Sequence, residues 1–537
     1  MDGITGLYSL NGKELVHKAF LATGACQHRG KSSAGIAVGN GKGIYIQNGL
    51  GRVGEVLDTR VLKAYQDLEP VAAIGNIGYT KNITPEKRNA EPIEISPKEH
   101  SKYQIAITMD GCILKRGSLR RELETGYKFN TINETELVGA LFHSYLEQTQ
   151  DYFEAGKILI DRLHGRGTFA LTALVYDGNE TKLIVLNDDR AFEPFCYGTI
   201  DDFFVVSSES VSHRRLGGFM DGEYNGAEMV VCSSNGIEKR RLREEKIMPD
   251  IFQGVYFGHV GSIFRGKEIF QIREEIGLKL VELYSGSGAD TVISANIIIP
   301  NPESGWGVTI GIFEGLHEQL KNQAFDFSKE NEGILIIKNK EAYSKFMKEY
   351  TSVYPALVKQ AQAVRTFQES QQRIRATETG LKFGGIDSLL KDKHVIMGDD
   401  SIVKGSVSEG GSVWEVYNAG AKSLEFWVSY GPMFFPSFKE WHRGPDCIRE
   451  LAVQKAFKDE NPYDKSREEI NDVISKRNRK MIDPDWDFKV KYNTQENIKD
   501  VAGDGSFQAL DAIYPISEEF RPDWIKKEVT LFNKYRD

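Results

Sequence analysis

The sequence predicts two consecutive domains of different architecture: an α+β sandwich of antiparallel sheets between helices, then an α/β domain built on a parallel sheet. Three observations carry this. At 537 residues the chain exceeds what one hydrophobic core usually organises. Up to about residue 240 it reads as short apolar strands broken by glycine turns, as in "SAGIAVGNGKGIYIQNG", "QIAITMDGCIL" and "TFALTALVYDGNETKLIVLNDD". After "EEKIMPDIFQGVYFGHVGS" strands alternate with helices, the pattern of a doubly wound sheet.

Within the first domain, assigned to residues 1–245, helices are expected at 118–125 and 134–150. The second, residues 255–445, opens with a helix-like run over 266–285 and the strand "VISANIIIP". A charged helical insertion over about 317–354 precedes the strand "KHVIMG" and a helix starting near residue 408. Residues 446–537 form a C-terminal extension, whose last 60 or so residues are polar and turn-rich and are not placed by the pattern. A net charge of −9 leaves no basic footprint for nucleic acid or anionic membrane, so an anionic ligand needs local donors. The five cysteines are far apart without metal spacing, which fits a reducing compartment. There is no basic-then-apolar leader, and apolar runs fall short of the roughly 20 residues that span a bilayer. A cytoplasmic protein is expected.

The strongest chemical signal is "HVIMGDDSIVKGSVSEGGSVWEVYNAGAK". An apolar strand leads into two carboxylates, Asp399 and Asp400, then a loop of small residues and an amphipathic helix. Small residues let the backbone approach a phosphate, and N–H groups at a helix start supply donors and partial positive charge. The carboxylates accept hydrogen bonds from a vicinal diol or help hold Mg²⁺. A ribose 5-phosphate fits both halves. An acidic pair alone is ordinarily a solvated turn; the strand, loop and helix around it make the pattern specific. It resembles the type I phosphoribosyltransferases, which bind phosphoribosyl pyrophosphate (PRPP).

Over about residues 1–440 the chain resembles the amidophosphoribosyltransferase family of purine nucleotide biosynthesis. "CQHRGKSSAGIAV" is similar to the family's "LQHRGQxSAGI", "VVSSESVSHRRLGG" to its "ASES…LG" stretch, and "IFQGVYFGHVGS" to its interdomain linker. "IIIPNPESG" resembles its pyrophosphate loop, "ALVKQAQAVRTFQESQQRIR" its closing loop, and "DDSIVKGSVS" its "DDSIVRGTTS". The resemblance implies an N-terminal nucleophile-hydrolase-like sandwich followed by a type I phosphoribosyltransferase domain. It implies that Asp399 and Asp400 contact the ribose hydroxyls and Mg²⁺, and that Ser401, Lys404, Gly405, Ser406 and Ser408 hold the 5-phosphate. Lys404 stands where the family has arginine, which keeps the charge and loses the bidentate fork. Ser304 would meet pyrophosphate and Mg²⁺, and Lys359 and Arg365 would be the closing loop's cations, unless they simply lie on a solvated helix face. A homo-oligomer is implied too. The CxxC ligand pair of the family's cluster-bearing members has no counterpart.

The amide end departs from the family. Glutamine hydrolysis there needs a free N-terminal cysteine, and the matching residue is Asp2, before which the initiator methionine is ordinarily retained. Gly78, in "GNIGYTKN", replaces the arginine that grips the glutamine carboxylate. "MDGC" replaces "HNGN", so Asp110 beside Gly111 puts a negative charge where an oxyanion would develop. Glu134 replaces a shorter aspartate that binds the substrate amine. The expectation is a phosphoribosyl transfer from PRPP to ammonia or another amine without glutamine hydrolysis; the alternative is a non-catalytic PRPP- or nucleotide-binding regulatory paralogue. Together the Asp2, Asp110 and Glu134 carboxylates would favour a cation or amine.

Overall fold

The computed structural model describes residues 2–9, 13–79, 85–284, 297–327, 336–348, 353–359, 383–405, 411–458 and 460–536. In the first domain a seven-stranded sheet carries Gly3–Ser9 near its middle, antiparallel to both Ala72–Gly78 and Phe203–Ser207. A six-stranded sheet has Gln104–Ile113 and Gly167–Tyr176 paired along ten residues. Side chains alternate across a strand, and each sheet uses both faces. Ile4, Ala37 and Ile74 meet Ala106, Ala170 and Val185 of the other sheet. Leu7, Val38 and Ala73 point away, onto the helix Leu15–Ala25. Ile105, Ile107 and Met109 face outward from the second sheet, onto the helices Glu134–Thr149 and Tyr152–Leu163. The result is the helix–sheet–sheet–helix sandwich the strand pattern implied.

Two expected helices form, at Arg116–Leu123 and Glu134–Thr149. The helices Leu15–Ala25 and Tyr152–Leu163 were not expected from the pattern. The second has a clear start signal in Asp151, whose carboxylate accepts from the Phe153 and Glu154 N–H groups.

The linker passes between the domains pinned by a buried arginine. Arg273 Nη2 donates to the Tyr256 and Gly258 carbonyls at 2.9 Å, satisfying backbone groups that no regular ladder would reach. The second domain follows with a four-stranded parallel sheet in the order Ile297–Pro300, His394–Asp399, Ser423–Val428, Asp487–Tyr492. Ile269–Tyr284 and Trp306–Ala324 pack closely because both carry glycine at the crossing: a Cβ on Gly311 would stand 1.9 Å from the Glu274 carbonyl. Trp306–Ala324 runs unbroken past residue 317, so the charged stretch there begins inside a helix of the main fold. The helix after the acidic pair is described from Ser412 to Asn418 and buries Val413 and Val416.

The unplaced extension belongs to the core. Asp487–Tyr492 is an edge strand of the parallel sheet, and its Phe488 and Val490 share a core cluster with Phe434, Phe435, Tyr463 and Phe532, whose rings meet stacked, tilted or edge to face. Its helix Arg467–Ile482 starts with a reciprocal cap between Ser466 and Glu469. Among the described residues, no helix is long and apolar enough to cross a membrane.

Candidate functional site

Two places collect the residues that the sequence singled out. The first lies at the carboxyl ends of adjacent parallel strands, where open α/β sheets bind ligands. Pro300 and Gly398 are register partners, so the turn at 301–305 and the acidic pair leave the sheet side by side. The two backbones nearly touch: a Cβ on Gly305 would lie 2.3 Å from the Gly398 carbonyl. Ser304 sits in that turn, half-buried.

Asp399 and Asp400 are buried and held from several sides. Asp399 Oδ1 accepts from the Asp400 N–H at 2.9 Å, and Asp400 Oδ1 accepts from Ser401 Oγ at 2.6 Å. Their carbonyls accept from the Ser429 and Tyr430 N–H groups at 2.9 Å. Gly405 has φ of 82°, a left-handed turn that suits glycine. Lys404 is not in open solvent: its Nζ lies 2.9 Å from Glu450 Oε2. Lys359 ends the strand Leu357–Lys359, which pairs with Phe383–Gly385. Arg365, Ser406 and Ser408 lie outside the described residues.

The second place is a cleft in the first domain whose lining includes Asp2, Gly78, Gly111 and Glu134. Four positions separated by up to 132 residues thus share one surface, with Asp110 directly behind it. The Asp2 N–H donates to Asp110 Oδ1 at 3.0 Å, and Asp2 Oδ1 accepts from the Tyr79 N–H at 2.9 Å. Gly78 has been filled in from across the sheet: a Cβ there would stand 2.1 Å from Ser33 Oγ. Gly111 has a packing reason of its own, since its Cβ would lie 2.4 Å from the Thr168 carbonyl. Glu134 starts a helix and pairs with Arg116 at 2.6 Å. Cys112, the thiol nearest Asp110 in sequence, is buried, as are the other four cysteines. Burial pushes Cys26 up to about 12, far from a reactive thiolate.

Several residues that the motifs did not predict organise this region. Arg29 is completely buried and joins Asp110 at 3.1 Å to Glu209 at 2.7 Å, while its Nε donates to the Asp2 carbonyl. Lys439 reaches in from the second domain, 2.5 Å from Glu193 and 3.9 Å from Asp110. Burial alone would raise the Asp110 carboxyl, but Lys439, the terminal amine and Arg29 together outweigh it and hold the group well below the usual carboxylate range. Asp110 is therefore an anion. Glu91, on the cleft floor, goes the other way: burial and then the Asp2 charge push it up to about 8, against hydrogen bonds from Thr135, Met109 N–H and Thr108. Glu209 also accepts from the His259 N–H and Ser262 Oγ, tying the interdomain linker to the same network. Arg29 and Glu209 stood inside quoted motifs, "CQHRG" and "SSES"; nothing in the sequence pointed to Lys439, 329 positions after Asp110. Elsewhere His164, Asp189 and Glu245 converge, but Arg190 and Arg243 already supply that cluster's positive charge.

Comparison with known proteins agrees with both halves. A family model described as a glutamine amidotransferase domain matches residues 83–213. The amidophosphoribosyltransferase of Archaeoglobus fulgidus is 26% identical over 440 residues, covering 82% of this chain and 84% of its own. That of Methanocaldococcus jannaschii is 26% identical over 455 residues, covering 82% and 85%. Among solved structures, the glutamine PRPP amidotransferase of B. subtilis, complexed with ADP and GMP, superposes with a TM-score of 0.72 at 21% identity, covering 97% of this chain and 98% of its own. An enzyme described as the allosteric regulatory enzyme of purine biosynthesis superposes with a TM-score of 0.73 at 20% identity, covering 97% of each chain. Along nearly its whole length the chain shares the two-domain fold of these solved structures, and over 82% of its length its sequence is similar to that of amidophosphoribosyltransferases.

Proposed function

We propose that the second domain binds PRPP with Mg²⁺ and transfers its phosphoribosyl group to ammonia or another small amine, and that the first domain does not hydrolyse glutamine. The observation that carries this is the contrast between the two sites. At the strand ends, the acidic pair is kept, buried and braced by four hydrogen bonds. In the cleft, Asp2 is hydrogen-bonded to an ionised Asp110, and the space beside Gly78 is closed by Ser33.

Asp399 and Asp400 suit the ribose hydroxyls and a divalent cation, because buried carboxylates need donors or positive charge. Bound Mg²⁺ would neutralise charge on the departing pyrophosphate. The turn bearing Ser304 lies beside the pair, on the side expected to meet that leaving group. Ser401 fixes the orientation of Asp400, and the loop from Lys404 onward takes the 5-phosphate. Lys359 and Arg365 supply positive charge that neutralises the pyrophosphate as it leaves. In the cleft, the Asp110 anion opposes the negative charge that amide attack would place on oxygen, and a carboxylate at position 2 offers no thiolate.

The test is pyrophosphate release from PRPP and Mg²⁺ with no amine, with glutamine, or with ammonium at high pH. Release with ammonium alone supports the proposal. Release with glutamine refutes the reading of the first domain, and no release under any condition refutes transfer to these acceptors, leaving a PRPP- or nucleotide-binding regulator.

A further inference from the structure

We infer that Lys404 and Arg443 form a two-cation phosphate grip, and that Glu450 is a resident counter-anion which a ligand's phosphate displaces to enter it. This rests on the reading that the second domain binds a phosphoribosyl compound. Arg443 and Glu450 lie beyond the span of about residues 1–440 that carries the family resemblance, so nothing in those motifs assigns them a role.

The two oxygens of one carboxylate are divided between two cations. Glu450 Oε2 faces Lys404 Nζ at 2.9 Å, and Oε1 accepts from Arg443 Nη2 at 2.5 Å. A phosphate presents the same geometry with more charge, about −1.5 to −2 against −1, and both cations bind it well. The arrangement is partly sheltered: Lys404 is 12% exposed, with Arg443 and Glu450 near 30%. Burial opposes ionisation of Glu450, yet Lys404 and Arg443 hold its carboxyl down at about 2, so it stays a competing anion at any working pH.

The backbone fixes the pieces relative to one another. The Ala452 N–H donates to the Val403 carbonyl at 2.9 Å, and Lys455 Nζ donates to the Lys404 carbonyl at 2.8 Å. The segment carrying Glu450 is thus stapled to the residues that follow Asp399 and Asp400. Glu440, 3.6 Å from Arg443 Nη1, keeps that guanidinium partly balanced once Glu450 has moved. The displaced element is the Glu450 side chain, while these backbone bonds keep its segment in place.

The experiment is calorimetric titration of the full chain with ribose 5-phosphate, PRPP with Mg²⁺, and ribose as the control without phosphate. Glu450→Gln removes the competing charge and keeps the shape; it is expected to bind both phosphorylated ligands about tenfold more tightly, the scale of one lost charge-assisted contact, with ribose unchanged. Arg443→Lys keeps the charge without the fork and is expected to lower the affinity of the otherwise unchanged protein for ribose 5-phosphate severalfold. Equal affinities in the parent protein and Glu450→Gln overturn the displacement. Unchanged affinity in Arg443→Lys overturns the grip, and this arm stands even if Glu450→Gln does not fold. If the parent protein and both variants bind neither phosphorylated ligand, the phosphoribosyl reading falls, and this inference with it.

Discussion

Replacing Lys439 by methionine keeps the length of the side chain and removes a cation that the second domain sends into the first domain's acidic network. Lys439 is 11% exposed and Glu193 completely buried at 2.5 Å from it, so solvent screens the pair little. Removing one partner of such a pair typically costs about 3–5 kcal/mol. Part of this is recovered, because Glu193 can take up a proton: burial and then Asp110 already raise its carboxyl, and Lys439 is what pulls it back. A net loss of about 2–3 kcal/mol follows, or roughly 4–12 °C in Tm for a domain of this size. All six tryptophans lie in the second domain or the extension that follows it, and Trp441 is two residues from Lys439, so thermal unfolding followed by tryptophan fluorescence reads the right half. The sign with pH is defined. A raised carboxyl favours the folded state at low pH and loses that support as pH rises, so the deficit of Lys439→Met is smaller at pH 5 than at pH 8. Adding Glu193→Gln should restore at least half of the lost Tm. A Tm within 1 °C of the parent protein, or no rescue by Glu193→Gln, would refute the reasoning.

Other outcomes follow from the same geometry. Asp400→Asn should weaken PRPP binding by tenfold or more in a titration with Mg²⁺; unchanged affinity would remove the acidic pair from the site. Asp2→Cys should release no glutamate from glutamine in a coupled assay, because Asp110 remains ionised and Gly78 still offers no clamp; measurable release would show that position 2 alone silences the domain. Gly111→Ala drives a Cβ to 2.4 Å from the Thr168 carbonyl and should cost about 1–3 kcal/mol in denaturant unfolding. Glu91, raised to about 8, stabilises the fold below its unfolded value and ceases to as pH rises through about 8. Glu91→Gln should flatten the decline in Tm between pH 6 and 9, and a parallel decline in both proteins would rule Glu91 out as its source.

What could be read from the sequence was whatever depends on local pattern. The alternation in "QIAITMDGCIL" places Ile105, Ile107 and Met109 on one face and Ala106 on the other, and periodicity is a property of neighbours along the chain. The acidic pair was legible for the same reason, since strand, carboxylates and loop are contiguous. Leu15–Ala25 was missed because it buries Leu15, Val16, Ala19 and Ala22 over a stretch too short for a strong helical stripe, and no side chain caps its start. Lys439 and Glu450 were invisible because their partners are set by tertiary distance: each is a polar residue in a turn-rich stretch that would be solvated in most proteins. The extension was illegible in the same way. "DFKVKY" alternates like a half-exposed edge strand, but only the neighbouring Ser423–Val428 says which sheet it edges.

That last strand has a consequence for how the molecule is made. The sheet that begins at Ile297 is finished by Asp487–Tyr492, and the chain then crosses back to the first domain, where the Ser517 N–H donates to the Gly165 carbonyl at 2.8 Å and Lys115 Nζ to the Glu519 carbonyl at 2.7 Å. The first half can close while synthesis continues, since its sheets need nothing later than residue 241. The second must wait, with an unfinished edge, until the chain has been made as far as Tyr492. A chain stopped before Asp487 would hold all of its catalytic candidates but lack the sheet's final strand.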